Sequence, residues 1–226
     1  MVLRILRGGG QDRIDWIERQ LSGMLADDRH SFDIATAALV GGADPATVGP
    51  DLRETDHRVN QTERQIRREL VVHASVHGSI DIPAILTYMS VVKDVERIGD
   101  YAKNIFDLSA EGASFAGAAD RDELARYRDR VSEMITQAAD AFASRDADRA
   151  AALIHEGDAL TDECDAKVAE LVVSDRTARE AVPRALYFRH LKRIVAHLMN
   201  LLSAVTMPVD KIDYYDEDPE DRPSRD

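Results

Sequence analysis

Apolar positions recur along most of this chain in steps of three and four, the spacing of helices that bury one face. Ile14, Ile17, Leu21, Met24 and Leu25 mark such a face. They predict a helix over about residues 12–40, ended by Gly41 and Gly42, as glycine after a last helical residue commonly does. Asp44-Pro45 and Gly49-Pro50 then mark a turn. Pro50 suits the first turn of a second helix over about 51–76, because its missing N–H has no helical partner there. Gly78 is the expected stop. Asp81 is placed as an N-cap and Pro83 as a first-turn residue of a third helix that runs past Leu108. Between 110 and 119 the residues turn to Gly, Ala and Ser, a mid-chain linker. Three further helices are predicted over about 122–143, 148–173 and 177–207, the last stopped by Pro208.

Three helices, a joint and three more helices suggest an internal repeat. Val95, Ile98, Ala102 and Ile105 match Leu191, Ile194, Leu198 and Leu201 at a constant shift of 96, and Arg97 and Asn104 fall on Arg193 and Asn200. In the preceding helices, Glu54, Asp56, Asn60 and Glu63 match Glu156, Asp158, Asp162 and Asp165 at a shift of 102. A loop-length difference between two copies accounts for the two shifts. The fold class is therefore all-α, two tandem three-helix bundles. The expected divisions are a flexible lead-in over 1–11 that includes Gly8 to Gly10, a first repeat over 12–115, a second over 119–208 and an acidic tail over 209–226.

Composition narrows the function classes. Aromatic residues make up 5% of the 226 residues, which fits helices better than a sheet sandwich. The net charge of −13 argues against a nucleic-acid binder. Asp210, Asp213, Asp216, Glu217, Asp218, Glu220, Asp221 and Asp226 crowd the end, a solvated tail with little to bury. Cys164 is the only cysteine, so no internal disulfide forms. No secretory leader or membrane span is read from the sequence. A cytoplasmic protein is expected, peripheral at most to a membrane complex.

The candidate chemistry is carboxylate chemistry. Glu96, Asp100 and Asn104 stand four residues apart beside the seam of the third helix. Asp56, Asn60 and Glu63 form a second oxygen-bearing set on the second helix, and two helices joined by a short connection pack antiparallel. An acidic pair at this spacing, taken alone, reads as a solvated flank. Two sets on neighbouring helices read as converging metal ligands. Hard oxygen donors without thiolates suit Fe, Mn, Mg, Ca or carboxylate-bound Zn, without selecting among them. The second copy has Lys192 and Ala196 where the first has Glu96 and Asp100. Asp158, Asp162 and Asp165, with His155, remain as a weaker candidate set or an exposed acidic stripe.

His73 and His77 share an i, i+4 spacing, read as a helix-end surface pair. His190 and His197 are read as surface or packing histidines. Glu54 and His57 form one Glu-x-x-His element, whereas a di-iron bundle needs two, and the second copy has Ala159 in place of the histidine. Arg64, Arg67 and Arg68 are expected to pair with acidic neighbours.

The segment Asp94-Val-Glu-Arg-Ile-Gly-Asp-Tyr-Ala-Lys-Asn-Ile105 closely resembles the signature of PhoU-domain proteins, with Glu96 and Asp100 as their Glu/Asp-x-x-x-Asp motif. Asp56-His-Arg-Val-Asn-Gln-Thr-Glu63 is similar to the family's second-helix pattern. The resemblance implies a six-helix PhoU-like domain and a non-enzymatic regulator of phosphate uptake and phosphate-responsive signalling. It implies docking to a phosphate ABC transporter ATPase or a phosphate-sensing histidine kinase. It also implies Fe, Zn, Mn or Mg at the first-repeat carboxylates. The apolar seams would allow a homodimer. A carboxylate-cluster protein for metal sensing or storage is the alternative.

Overall fold

Six long helices follow one another in the computed structural model, which describes residues 11–77 and 81–215. They are α1 (Gln11–Leu39), α2 (Pro45–His77), α3 (Ile82–Ala110), α4 (Arg121–Ser144), α5 (Ala147–Val172) and α6 (Ala178–Thr206). A short 3-10 turn, Val209–Lys211, follows. The Gly8–Gly10 lead-in, the Gly78 stop, the His77 side chain and the tail beyond Tyr215 lie outside the described residues. No helix among the described residues is long and apolar enough to cross a membrane.

α1, α2 and α3 pack as one three-helix bundle and α4, α5 and α6 as a second; α3 against α6, with α1 against α4, joins them. The repeat read from the sequence is a packing repeat. Val95, Ile98, Ala102 and Ile105 are fully buried, and so are their counterparts Leu191, Ile194, Leu198 and Leu201. α3 and α6 run antiparallel. Asp94 faces His197 and Asn200, while Tyr101, two turns further along α3, lies against His190, two turns earlier on α6.

Several local expectations are corrected. α2 starts at Pro45, six residues early, and Pro50 lies inside it. The start is set by Asp44, whose Oδ1 accepts the Ala46 N–H at 3.1 Å and whose Oδ2 accepts the Thr47 hydroxyl at 2.7 Å. Pro50 is the sixth residue of the helix, past its first turn, and so removes the N–H that would meet the Ala46 carbonyl. Gly49 is no turn residue but a close-approach residue, since a Cβ there would stand 2.9 Å from Phe106 Cζ on α3.

Asp81 stands at the N-cap of α3 without capping it. Its Oδ2 instead meets His73 Nε2 at 2.8 Å. His73 is fully buried, not a surface histidine.

The mid-chain joint is anchored. Phe115 is buried, and its N–H donates to the Leu39 carbonyl at 2.7 Å, tying the joint to the end of α1. The tail also starts later than its composition suggested, because Ile212 and Tyr215 are buried.

Candidate functional site

The motif residues of α3 lie on the side turned to α1 and α2. Glu96 is buried to 8% exposure and its Oε2 is held by Lys93 Nζ at 2.6 Å, one turn earlier. Asp100, one turn later, is half-buried and shares Lys103 with Asp56 of α2. Lys103 Nζ is 2.8 Å from Asp56 Oδ1 and 3.2 Å from Asp100 Oδ1. The two helices therefore do bring a carboxylate each to one point, and an ammonium stands at that point.

The other α2 candidates are engaged differently. Asn60 donates its amide to the Asp56 carbonyl at 2.9 Å. Glu63 is buried and pairs with Arg67 at 2.8 Å, one turn along its own helix. Among the described residues, no three His, Cys, Asp or Glu side chains stand close enough to hold a metal ion in this conformation.

Asp28 of α1 was missed in the sequence. It is fully buried, and neither carboxylate oxygen has a hydrogen-bond partner. Such groups are rare in folded proteins, because an unpaired polar group taken from water costs about 1–3 kcal/mol. The carboxylate points at Gly99, the α3 residue between Glu96 and Asp100. A Cβ on Gly99 would stand 2.6 Å from Asp28 Oδ1. Burial, reinforced by Asp27, Glu96, Asp100 and Asp56, pushes the Asp28 carboxyl well above the usual carboxylate range. Its neighbour Asp27 is answered by a bidentate Arg58, at 2.7 and 2.8 Å. The signal for Asp28 was positional. It stands three residues after Leu25 and four before Phe32, both fully buried, and so in phase with the apolar stripe of α1.

The second repeat carries different chemistry at the matching place. Lys192, where the first repeat has Glu96, reaches across to α5 and meets Asp165 at 2.5 Å. Asp162 and His155 are exposed, and Asp158 is half-buried. An ion pair built into the fold thus replaces the meeting of carboxylates. Cys164 is fully buried beside it, and burial pushes its thiol up to about 12, so it is no nucleophile.

Between the repeats lies a buried polar network that residue spacing does not reveal. Asp94 Oδ1 lies 2.9 Å from His197 Nδ1 and accepts the Asn200 amide at 3.0 Å. Asn200 also donates to Asp213 Oδ1 at 2.9 Å, and its own Oδ1 accepts the Tyr215 N–H at 2.7 Å. Tyr101 stacks on His197, with ring centroids 5.7 Å apart. His190 and His197 are packing histidines, and His197 is buried.

Residues 21–108 match the family described as the PhoU domain. The chain is similar to a phosphate-specific transport system accessory protein PhoU homolog of Pseudomonas putida, 32% identical over 164 residues. That alignment covers 68% of this chain and 63% of the relative. A homolog of the same description from Pseudomonas aeruginosa is 31% identical, with 68% and 66% covered. The chain thus spans just under two thirds of the length of these relatives.

Among solved structures, that of PhoU from Pseudomonas aeruginosa superposes with a TM-score of 0.76 at 26% identity, covering 87% of this chain and 97% of that one. The phosphate transport system regulatory protein PhoU from Streptococcus pneumoniae shares the fold, with a TM-score of 0.75 at 16% identity, covering 87% and 95%. By its matched first repeat and by a fold shared along nearly its whole length, the chain belongs to the PhoU-domain family.

Proposed function

We propose that this protein is an accessory regulator of phosphate-specific transport that works by docking rather than by catalysis. The observation that carries the reading is the pairing of the PhoU fold with relatives described as accessory proteins of phosphate-specific transport. The partners we propose are the ATPase of a phosphate ABC transporter, a phosphate-sensing histidine kinase, or both, met on the cytoplasmic side of the membrane. To test this, tagged protein is cross-linked in cells grown at high and low phosphate and its neighbours are identified. Enrichment of either partner, with altered phosphate-responsive expression on deletion, is the expected result. No enrichment of either and an unchanged phosphate response would remove the reading.

A second reading concerns the first-repeat carboxylates as a cation site. It is favoured by one observation: Asp56 and Asp100 converge closely enough for a single ammonium to bridge them. The donor set proposed is Glu96, Asp100 and Asp56, with Asn60 and Glu63 flanking, and its all-oxygen chemistry suits Fe, Mn, Mg or carboxylate-bound Zn. Metal analysis of the wild type beside the Glu96→Ala, Asp100→Ala double variant decides it. Bound metal that the double variant loses supports this reading, and metal-free wild type after supply of each ion removes it.

A further inference from the structure

The flank of α2 that meets α1 runs in steps of two helical turns. Asp51 lies 3.0 Å from His30, and Arg58, two turns on, grips Asp27. Gln65, two turns further, lines a shallow cleft of about 400 Å³ with Glu69 and with Asp12, Arg13 and Trp16 of α1. Arg13 pairs there with Glu69 at 3.4 Å. At this level α1 begins, with Gln11, but the flank of α2 goes on. Val72 follows Gln65 by two turns and Val76 follows Glu69 by two turns. These valines are 40% and 67% exposed. The end of α2 therefore keeps an apolar flank past the point where α1 covers it.

We propose that the segment preceding α1, Met1-Val-Leu-Arg-Ile-Leu-Arg7, is the occupant of this flank. It acts as an arm, tethered by Gly8 to Gly10, whose Val2, Leu3, Ile5 and Leu6 cover Val72 and Val76.

The arm has the chemistry for this. At helical spacing Val2, Leu3, Ile5 and Leu6 fall on one side and Arg4 and Arg7 on the other, so a short apolar face is paired with a solvated one. Its place in the chain agrees. α1 and α2 run antiparallel, in a register fixed by the pairs His30–Asp51, Asp27–Arg58 and Arg13–Glu69. Carried past Gln11, that register brings Gly10 level with Val72 and Leu6 level with Val76.

The tether has the right length. From Glu69 to Val76 the axis of α2 rises about 10 Å, and three extended residues span about 10 Å at most. Three glycines in a row disfavour a continued helix but let the chain follow the valines closely. So short a tether holds the arm at a millimolar effective concentration, at which a small apolar contact is enough. Val172 and Val173 of α5 are exposed as well. They lie at the opposite end of the antiparallel α3–α6 seam, out of the arm's reach.

The test is disulfide cross-linking of the full chain carrying Leu6→Cys with Val76→Cys, beside Leu6→Cys with Val172→Cys. Cys164 is buried and its thiol is pushed up to about 12, so it does not compete. The first pair is expected to close within one chain at least about tenfold faster than the second. In the chain lacking residues 2–7, amide hydrogen exchange over residues 72–77 is expected to quicken about fivefold or more. The Ile5→Asp, Leu6→Asp double variant should give the same change if the shortened chain is poorly made.

Equal cross-linking rates for the two pairs overturn the proposal, as does unchanged exchange over residues 72–77 in both arm variants. A covalent dimer from the Leu6→Cys, Val76→Cys chain also overturns it, since the valines would then be covered by the arm of a second copy.

Discussion

Asp94 of α3 and His197 of α6 meet at 2.9 Å, 103 residues apart in the chain and both nearly sealed from solvent. The same Asp94 oxygen accepts the Asn200 amide, so one carboxylate serves two groups of the other repeat. The two bundles are thus held by a specific polar contact in addition to their apolar seams.

Removing that carboxylate leaves two buried groups of α6 without it. Asp94→Ala is expected to destabilise the protein by about 1–3 kcal/mol, the cost of taking a buried polar partner away, since the Asn200 amide keeps its bond to Asp213. Asp94→Asn, which keeps one acceptor oxygen, should cost less. Urea unfolding followed by circular dichroism measures both. A midpoint for Asp94→Ala equal to that of wild type would show that the contact adds nothing to stability.

Asp120 gives the pH dependence. It stands at the start of α4, gripped by Arg184 Nε and Nη2 at 2.8 Å each, with Arg176 at 3.0 Å. The Arg184 hydrogen bonds, helped by both guanidinium charges and opposed by partial burial, hold its carboxyl below the usual carboxylate range. Because the folded value lies below the unfolded one, the stabilisation is complete above the unfolded value of about 4. It is lost as pH falls through the folded value. Asp120→Asn should therefore lie about 1–3 kcal/mol below wild type at pH 7. The gap should narrow steadily below pH 4, read from urea midpoints at each pH.

Two glycines in helices should respond in opposite directions. Gly23 in α1 is exposed, with nothing within 4 Å of an added Cβ, so Gly23→Ala should stabilise by about 0.5–1 kcal/mol. Gly49 in α2 faces the buried Phe106 ring, with Cζ at 2.9 Å and Cε1 at 3.5 Å from that Cβ. The ring edge cannot fold away as a flexible chain end does, so Gly49→Ala should cost about 1–3 kcal/mol. Thermal melts of the two variants beside wild type decide both signs.

The helices were legible because their apolar stripes are long and regular, and the repeat because the same four seam positions are buried in both halves. What failed were inferences from single residues whose meaning depends on a neighbour far along the chain. Pro50 looked like a helix start until Asp44 was seen to set the start earlier. His73 looked like a surface residue until Asp81 was found beside it. Asp28 escaped notice because Asp27-Asp28 reads as a solvated pair, although its phase with Leu25 and Phe32 placed it inside. The Glu96–Asp100 motif was legible as a motif. That Lys93 and Lys103 stand against these carboxylates follows from packing and rotamer, which spacing does not encode.

The contact between Asp94 and α6 also bears on the order in which the molecule is made. Residues are synthesised from the amino end, so α3 emerges with Asp94 about a hundred residues before His197 and Asn200 exist to meet it. Asp213 and Tyr215, which complete the network through Asn200, come later still. A half-made chain carries a carboxylate on a seam that nothing yet covers, and contacts this distant in sequence form late. The first repeat, though it holds the acidic motif, reaches its finished environment only when the last described residues have arrived.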